Sequence, residues 1–471
     1  MKKNLLFIFL IISSFSFSQE KWTLEMCVKR AINENISIKQ SELDYVDAEI
    51  NRKNAIGNFI PNVNVGSSHS WNVGLNQNIT TGLLENITTQ FSSMNLNIGV
   101  DIYGGLKNIK QLHLANLRIL SSQYQLADMK ENISLLVANS YLQILFNKEF
   151  IKIQESQLET SKSEVNKAKE LYNNGVIPRG DLYEFEANLA TVEKNLINAK
   201  NNYILSKISL AQLLLIDDYN NFEIADENYV LKISDILNRT PEEIFAKAVE
   251  DRSEIKIFET NLEIAKKSLE YNKSLYQPRL SAFYSYSSRI AYGDRIVGTG
   301  EFQNVPIGFV ENTNQRVLTP VQKTKIIGAD SFSEQFDRNA GQNFGLSLSI
   351  PILNNFTIRQ NVNRSKVNIL RNENQLLQKK LDLESTVNQS YNDANGALKA
   401  YSASLKSMES RKLSYDYAIE KFEIGALSSF DLTQVKQRFE SAQSDLITSK
   451  FDLIFKIKVL EFYFGVPISI D

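Results

Sequence analysis

One cysteine and two histidines are all that the 471-residue sequence offers to soft-metal or thiol chemistry. A lone Cys27 cannot form an intrachain disulfide, and it reads as a small apolar residue on a helix face. His69 and His113 do not make a metal constellation. Charge of one sign is also missing. The formal net charge is −2, too close to neutral for a nucleic-acid binder. No G-x-S-x-G, P-loop, HExxH or paired-cysteine motif occurs, so no enzyme class and no cofactor is indicated. Gly298-Thr299-Gly300 reads as a loop turn, not a phosphate cradle. Long apolar runs are absent too. The nearest, 133–146, is broken by Ser134, Asn139, Ser140 and Gln143 and reads as a buried bundle helix.

The start of the chain carries Lys2 and Lys3, then an apolar run from Leu5 to Ile12, then Ser16-Phe17-Ser18. That order predicts a secretory signal over 1–18. A membrane anchor is the other reading, but the run is short against about 30 Å of hydrocarbon. A secreted chain without a membrane helix can still cross a membrane as a closed barrel, because every backbone group is then paired between strands.

Heptads dominate what is present. Ile151, Leu158, Val165 and Tyr172 are spaced by seven. After an interruption, Leu182, Leu189, Leu196, Tyr203 and Leu210 continue the spacing, with Phe185, Val192, Ala199 and Leu213 filling a second row. A seven-residue repeat makes packed helices supercoil. Between the two patterns, Gly175 can end a helix in the left-handed conformation, Pro178 cannot continue one, and Asp181 is predicted to cap the next. The expectation is the tip of a long antiparallel helical hairpin.

The same pattern returns 250 residues later. Gly425, Asp431 and Leu432 match Gly175, Asp181 and Leu182, and the offset holds from Leu96 (Leu346) to Tyr203 (Leu453). Nearer the start the offset is 217, with Ala31 matching Ala248 and Pro61 matching Pro278. The chain is therefore an internal duplication whose second copy carries 33 extra residues between these regions. There the period changes to two. Val63 and Val65, then Leu96, Ile98 and Val100, then Leu280, Ala282 and Tyr284, then Leu346 and Leu348 alternate with polar residues. Four strands with one apolar face follow, and those ten residues are expected to meet lipid. Two soluble hairpins with a half-buried face are the plainer reading. The segments 76–90 and 293–340 are expected as the strand-to-strand loops.

The expected segmentation is a signal peptide (1–18), a helix of the first repeat (19–60), two strands with a loop (61–103) and a long helical hairpin (104–216). A linker (217–240), a helix of the second repeat (241–277), two strands with a long loop (278–354), a second long hairpin (355–464) and a tail (465–471) follow. From Leu106 to Tyr172 a helix would run roughly 100 Å.

This order of elements, and the two tips Tyr172-Asn173-Asn174-Gly175 with Asp181-Leu182 and Phe422-Glu423-Ile424-Gly425 with Asp431-Leu432, resemble the TolC-like outer-membrane efflux proteins. The resemblance implies a mainly α fold with a transmembrane β-barrel. Each of three subunits would give four strands to a twelve-stranded barrel and its long hairpins to a periplasmic tunnel. A homotrimer agrees with the physics, since four strands cannot close a barrel and open edges are not tolerated in lipid. The resemblance also implies a passive exit duct for small-molecule efflux or type I secretion. A periplasmic adaptor and an inner-membrane pump would drive it. A non-conducting coiled-coil protein that bridges envelope layers is the alternative. Within the family's pattern, Asp431 stands where an aspartate lines the gate. Gln434 replaces a second acidic residue there, and Leu427 an arginine that can brace the closed tip. Asp431 as a helix cap is the simpler role. Gly175, Val176, Ile177, Gly425, Ala426 and Leu427 at the two tips are expected either to meet the adaptor or to pack on neighbouring hairpins.

Overall fold

The computed structural model describes residues 21–77, 82–225 and 235–466. The expected signal peptide at 1–18, part of the linker and the last residues of the tail lie outside them. The chain divides into two compact units, each assembled from separated stretches.

One unit draws on Met1–Glu49, Leu117–Ala265 and Val367–Asp471. Its elements are helical. Helix α1 (Leu24–Glu34) is followed by α2 (Ile36–Gly57), which runs past the unit's boundary. Thr23 caps α1, its side-chain oxygen accepting from the Met26 amide at 3.3 Å. Then come the long α3 (Lys107–Asn173) and α4 (Arg179–Leu213), the shorter α5 (Pro241–Asp251) and α6 (Ser253–Ser274), and the long α8 (Thr357–Glu423) and α9 (Ser429–Phe464); α3, α6 and α8 also run past the unit's boundary. Thr240 caps α5 with Pro241 in its first turn, where the missing proline N–H costs nothing. The duplication is visible in the lengths. Helices α3 and α8 both have 67 residues, α2 and α6 both 22, and α1 and α5 both 11.

The heptad rows turn inward. Leu182, Phe185, Val192, Leu196, Ala199 and Leu210 are buried on α4, and Leu432, Leu453 and Leu460 on α9. One apolar cluster gathers Cys27, Val137, Tyr141, Leu210 and Ile454, and takes in Phe222 and Ile224 from the linker. Ile224 forms a single parallel bridge with Trp22, so part of the linker is core. A second cluster joins Ile244, Ile255, Leu383, Val387, Leu453 and Leu460. The pseudo-equivalent breaks between short helices are built differently. Asn35 bridges α1 and α2, donating to the Leu213 carbonyl at 3.2 Å and accepting from the Ser37 amide at 2.9 Å. Arg252 stands at the matching point between α5 and α6, buried 3.9 Å over the Phe462 ring and 2.9 Å from Glu131.

The other unit, Ile50–Asn116 and Lys266–Lys366, holds the strands. Strands β1 (Asn62–Gln77), β2 (Leu84–Gly104), β3 (Arg279–Ala291) and β6 (Gly341–Ser349) form one antiparallel sheet in the order β1-β2-β3-β6. Strands β4 (Arg295–Phe309) and β5 (Arg316–Ile327) form a separate hairpin, and α7 (Phe332–Arg338) follows it. Both expected loops are corrected here. Asn76 and Gln77 pair with Glu85 and Leu84, so the strands run on into the stretch expected to be loop. Residues 293–340 contain two strands and a helix. Their Gly, Thr and Asn content, and adjacent Val317 and Leu318 followed by Pro320, leave no clean period of two in β5. Gly298-Thr299-Gly300 is not a loop turn but a bulge inside β4, where the register shifts between Gly298 and Phe302. No helix among the described residues is long and apolar enough to cross a membrane.

Candidate functional site

Two places carry the expected function: the hairpin tips and the sheet. At the tips, the first hairpin turns through Gly175 at φ +75° and the second through Gly425 at φ +73°. The Gly175 amide donates to the Tyr172 carbonyl at 2.9 Å and the Val176 amide to Leu171 at 2.8 Å. Gly425 to Phe422 at 3.0 Å and Ala426 to Lys421 at 2.8 Å repeat this. Both ends are Schellman turns, which need a left-handed residue. A Cβ at either glycine would meet nothing within 4 Å, so the requirement is conformational rather than steric.

The expected caps are displaced. Asp181 and Asp431 do not cap α4 and α9; each is the third residue of its helix. Pro178 holds the first cap position with no side-chain bond. Ser428 holds the second, accepting from the Asp431 amide at 3.1 Å and donating to its carboxylate at 2.7 Å. The helices start three residues earlier than the aspartates suggest, because an acid in the first turn is favoured by the helix dipole as well as by capping. Asp431 and Gln434 are both exposed, and Gln434 accepts from Arg438 at 3.1 Å.

Beneath the tips, Val165, Ala168, Leu182, Phe185, Tyr415, Ala418 and Leu432 bury one another, with Ile177 and Leu427 packed against them. Phe185 and Phe422 meet edge-on at 5.9 Å. The four apolar tip residues therefore separate. Ile177 and Leu427 belong to a small core shared by both hairpins, whereas Val176 and Ala426 are exposed. Ile424 and Phe430, which sequence reasoning passed over, are exposed beside them.

Sequence reasoning also missed a buried ionic cluster above this core. Lys436 is 2 % exposed. Its ammonium donates to Ser161 Oγ at 2.7 Å and to Glu164, and lies 3.6 Å from Glu440. The Tyr415 hydroxyl donates to Glu164 at 2.6 Å, and its ring stacks on Phe439. Burial pushes the Glu440 carboxyl above the ordinary range, opposed by Lys436 and reinforced by Glu164. Burial and the Glu164 charge push the Tyr415 hydroxyl up as well. One signal for the cluster lay in the sequence: Lys436 follows the seam residue Leu432 by four, and Glu440 follows Lys436 by four, a spacing that puts charges on the packed face.

In the sheet, the register puts the ten alternating apolar residues on one face. Val63 pairs with Ile98 and Val65 with Leu96. Ile98 pairs with Tyr284 and Val100 with Ala282. Leu280 pairs with Leu348 and Ala282 with Leu346. The opposite face carries Asn64, Asn97 and Ser285, the last donating to Asn97 at 2.8 Å. At the end of β2, Asp101 is gripped by Lys107 at 3.0 Å and Arg279 at 2.6 Å. The chain then turns into α3 through Gly105 and Leu106, both at positive φ; Asn355 and Phe356 do the same before α8. A Cβ on Gly105 would lie 2.5 Å from both the Ser274 carbonyl and Gln277. The outer edges of β1 and β6 have no partner strand among the described residues.

Comparison with known proteins gives this geometry a family. A family model described as outer membrane efflux protein matches residues 27–214 and 324–454. The chain is 20% identical over 330 residues to outer membrane protein TolC of Escherichia coli (strain K12), which is 69% of this chain and 59% of that protein. The same-named protein of Salmonella enteritidis is 20% identical over 68% of this chain and 58% of its own length. The match thus spans less than two thirds of these relatives. Among solved structures, the Campylobacter jejuni CmeC outer membrane channel superposes with a TM-score of 0.72 at 16% identity, covering 95% of this chain and 87% of that one. The outer membrane protein VceC from Vibrio cholerae superposes at 0.68 and 13% identity, covering 94% and 96%. At such identities the likeness is one of fold, mainly helical with antiparallel strands. The family model covers more than half of the sequence: the chain belongs to the outer membrane efflux protein family, a family of channels and not of enzymes, located in the outer membrane with a periplasmic tunnel.

Proposed function

We propose that three copies close a twelve-stranded barrel in the outer membrane and form a passive exit duct for small molecules or secreted protein. One observation carries the proposal: a four-stranded sheet with one apolar face and two open edges. Such edges are not stable in lipid unless another copy pairs them. In this reading 61–103 and 278–354 supply the barrel and 104–216 and 355–464 the tunnel hairpins, with 19–60 and 241–277 beside them in the periplasm. Lipid meets Val63, Val65, Leu96, Ile98, Val100, Leu280, Ala282, Tyr284, Leu346 and Leu348. Conductance of the purified protein in a planar bilayer tests it. Discrete channel openings are expected; a pure, folded trimer that never conducts leaves the alternative of a coiled-coil spacer between envelope layers.

At the tunnel end, exposed Asp431 would face its two copies across the symmetry axis and favour cations. Asp431→Asn should lower the cation preference of single channels while leaving assembly intact. Val176 and Ala426, with Ile424 and Phe430, are the apolar residues free to meet a periplasmic adaptor that couples the duct to an inner-membrane pump. Ile177 and Leu427 would instead hold the tips together. Single cysteines at Val176 and Ala426 should crosslink to such an adaptor in cells.

A further inference from the structure

We propose that the outer half of β1 is completed by the β4–β5 hairpin of a second copy of this chain. The inference rests on the trimeric barrel reading. Closing the barrel pairs the open edge of β1 with the open edge of β6 in the next copy. Yet β1 has 16 residues and β6 only 9. With the helix-proximal ends of the strands level, β6 serves Asn62 to about Ser70, and Trp71–Gln77 is left with a bare edge. That stretch carries exposed Trp71, Val73 and Leu75. An unpaired, apolar strand edge is a ready template for pairing.

The partner follows from what stands above β6. Strand β3 outruns β6, whose last pairing is Ser287 with Gly341. Helix α7 takes over from there. Gln335 accepts from the Ala291 amide at 2.9 Å and donates to the Ala291 carbonyl at 2.9 Å. Asn339 donates to the Arg289 carbonyl at 2.7 Å, and Ser288 donates to the Phe336 carbonyl at 2.8 Å. These contacts use the edge of β3 that β6 would otherwise occupy. Helix α7 therefore seals β3 and sits on the side of the sheet where the next copy must arrive. Asp330, just before α7, is clamped by both Arg295 of β4 and Arg338 of α7, which ties the base of the hairpin to that place. The hairpin's own β1 is on the far side of β2 and β3.

The hairpin itself calls for a partner. A two-stranded ribbon is marginal in water, and here Phe302, Ile307, Phe309 and Leu318 are all exposed. Neither of its outer edges has a partner strand among the described residues. A bare seven-residue stretch of β1 and a bare ribbon are thus brought to the same seam by the threefold arrangement, each supplying what the other lacks.

Two differently tagged chains, both with Cys27→Ala, test this when co-expressed. One carries Val73→Cys and the other Phe302→Cys or Val321→Cys; outer membranes are treated with a short bismaleimide. A covalent dimer bearing both tags is expected. The control pair, Val65→Cys with Leu346→Cys, reports the β1–β6 seam. A control product without a hairpin product overturns the inference and leaves the trimer standing; loss of both overturns the two together. A chain bearing both Val73→Cys and Phe302→Cys that links only within itself also counts against a second copy.

Discussion

The two copies of the repeat share a backbone and differ in chemistry, most sharply just above the hairpin tips. In the second copy Lys436, Glu440 and Tyr415 form a buried polar cluster with Glu164 of the first. The positions 250 residues earlier hold Glu186, Ala190 and Val165. There Glu186 makes only a surface pair with Lys169 at 3.5 Å, and Val165 is plain core. Duplication kept the seam that fixes the fold and released the residues around it. The buried cation thus belongs to the second copy alone, while the first supplies Ser161 and Glu164 as its partners, in a place where charge is costly to leave unpaired.

The comparison can be broken hardest at the junctions into the long helices. Gly105→Ala should cost about 4 kcal/mol or more, since a Cβ there clashes with backbone in a left-handed conformation. Asn355→Ala, at the matching junction, should cost only about 1 kcal/mol, because asparagine is already a compromise at positive φ. Thermal unfolding of the detergent-solubilised protein compares them; equal losses would show that the two junctions are under the same constraint.

Next in size is Lys436→Met, which strands Glu164 and Glu440 without a counter-charge. A loss of about 3 kcal/mol is expected. Glu186→Ala should change stability by less than about 0.5 kcal/mol. Denaturation followed by circular dichroism distinguishes the two sites.

The same cluster sharpens the contrast through pH. Glu440 keeps its proton to a higher pH in the folded chain than in the unfolded one. Its contribution is therefore fully present below the ordinary carboxylate range and is lost as pH rises through the raised value. Glu440→Gln should remove that loss, so the variant melts higher than the wild type near neutrality and the two converge on acidification. A constant difference at every pH would assign the effect to packing instead.

The smallest test concerns the caps. Ser428→Ala removes a reciprocal bond with Asp431 and should cost about 1 kcal/mol. Pro178→Ala, at the same point of the first copy, loses no side-chain bond and should cost a few tenths of that. The melting temperatures of the two variants decide it.

Much of the architecture was legible because it repeats. Leu182, Leu189 and Leu196 declare a packed helix by spacing alone, and Val63, Val65, Ile98 and Val100 declare a one-sided strand. The matched offsets then gave the plan twice. What escaped detection depends on partners distant in the sequence. Lys436 is an ordinary surface residue by type, and its burial is tolerable because Ser161 and Glu164, both more than 250 residues away, accept its hydrogen bonds. Gln335 gives no hint that its amide will stand in for a strand against Ala291. Strands β4 and β5 contain Pro306 and Pro320, residues that argue against a strand unless it is an edge, and in a two-stranded ribbon every strand is one. The aspartates at the tips misled by three residues, since the same side chain serves a cap and a first turn.

The equal length of α3 and α8 constrains how this gene can change. One inserted residue turns everything beyond it by about 100° around the helix axis, moving a seam such as Leu432 and Phe439 off its neighbour. An insertion in one 67-residue helix would also shift its tip along the axis relative to the other, separating Phe185 from Phe422. Length changes in the helices must therefore arise as matched pairs or in whole repeats of the seam. The 33 residues by which the copies differ lie instead between β3 and β6. In this lineage the helices should keep their length while the outer hairpin is free to lengthen, shorten and diversify.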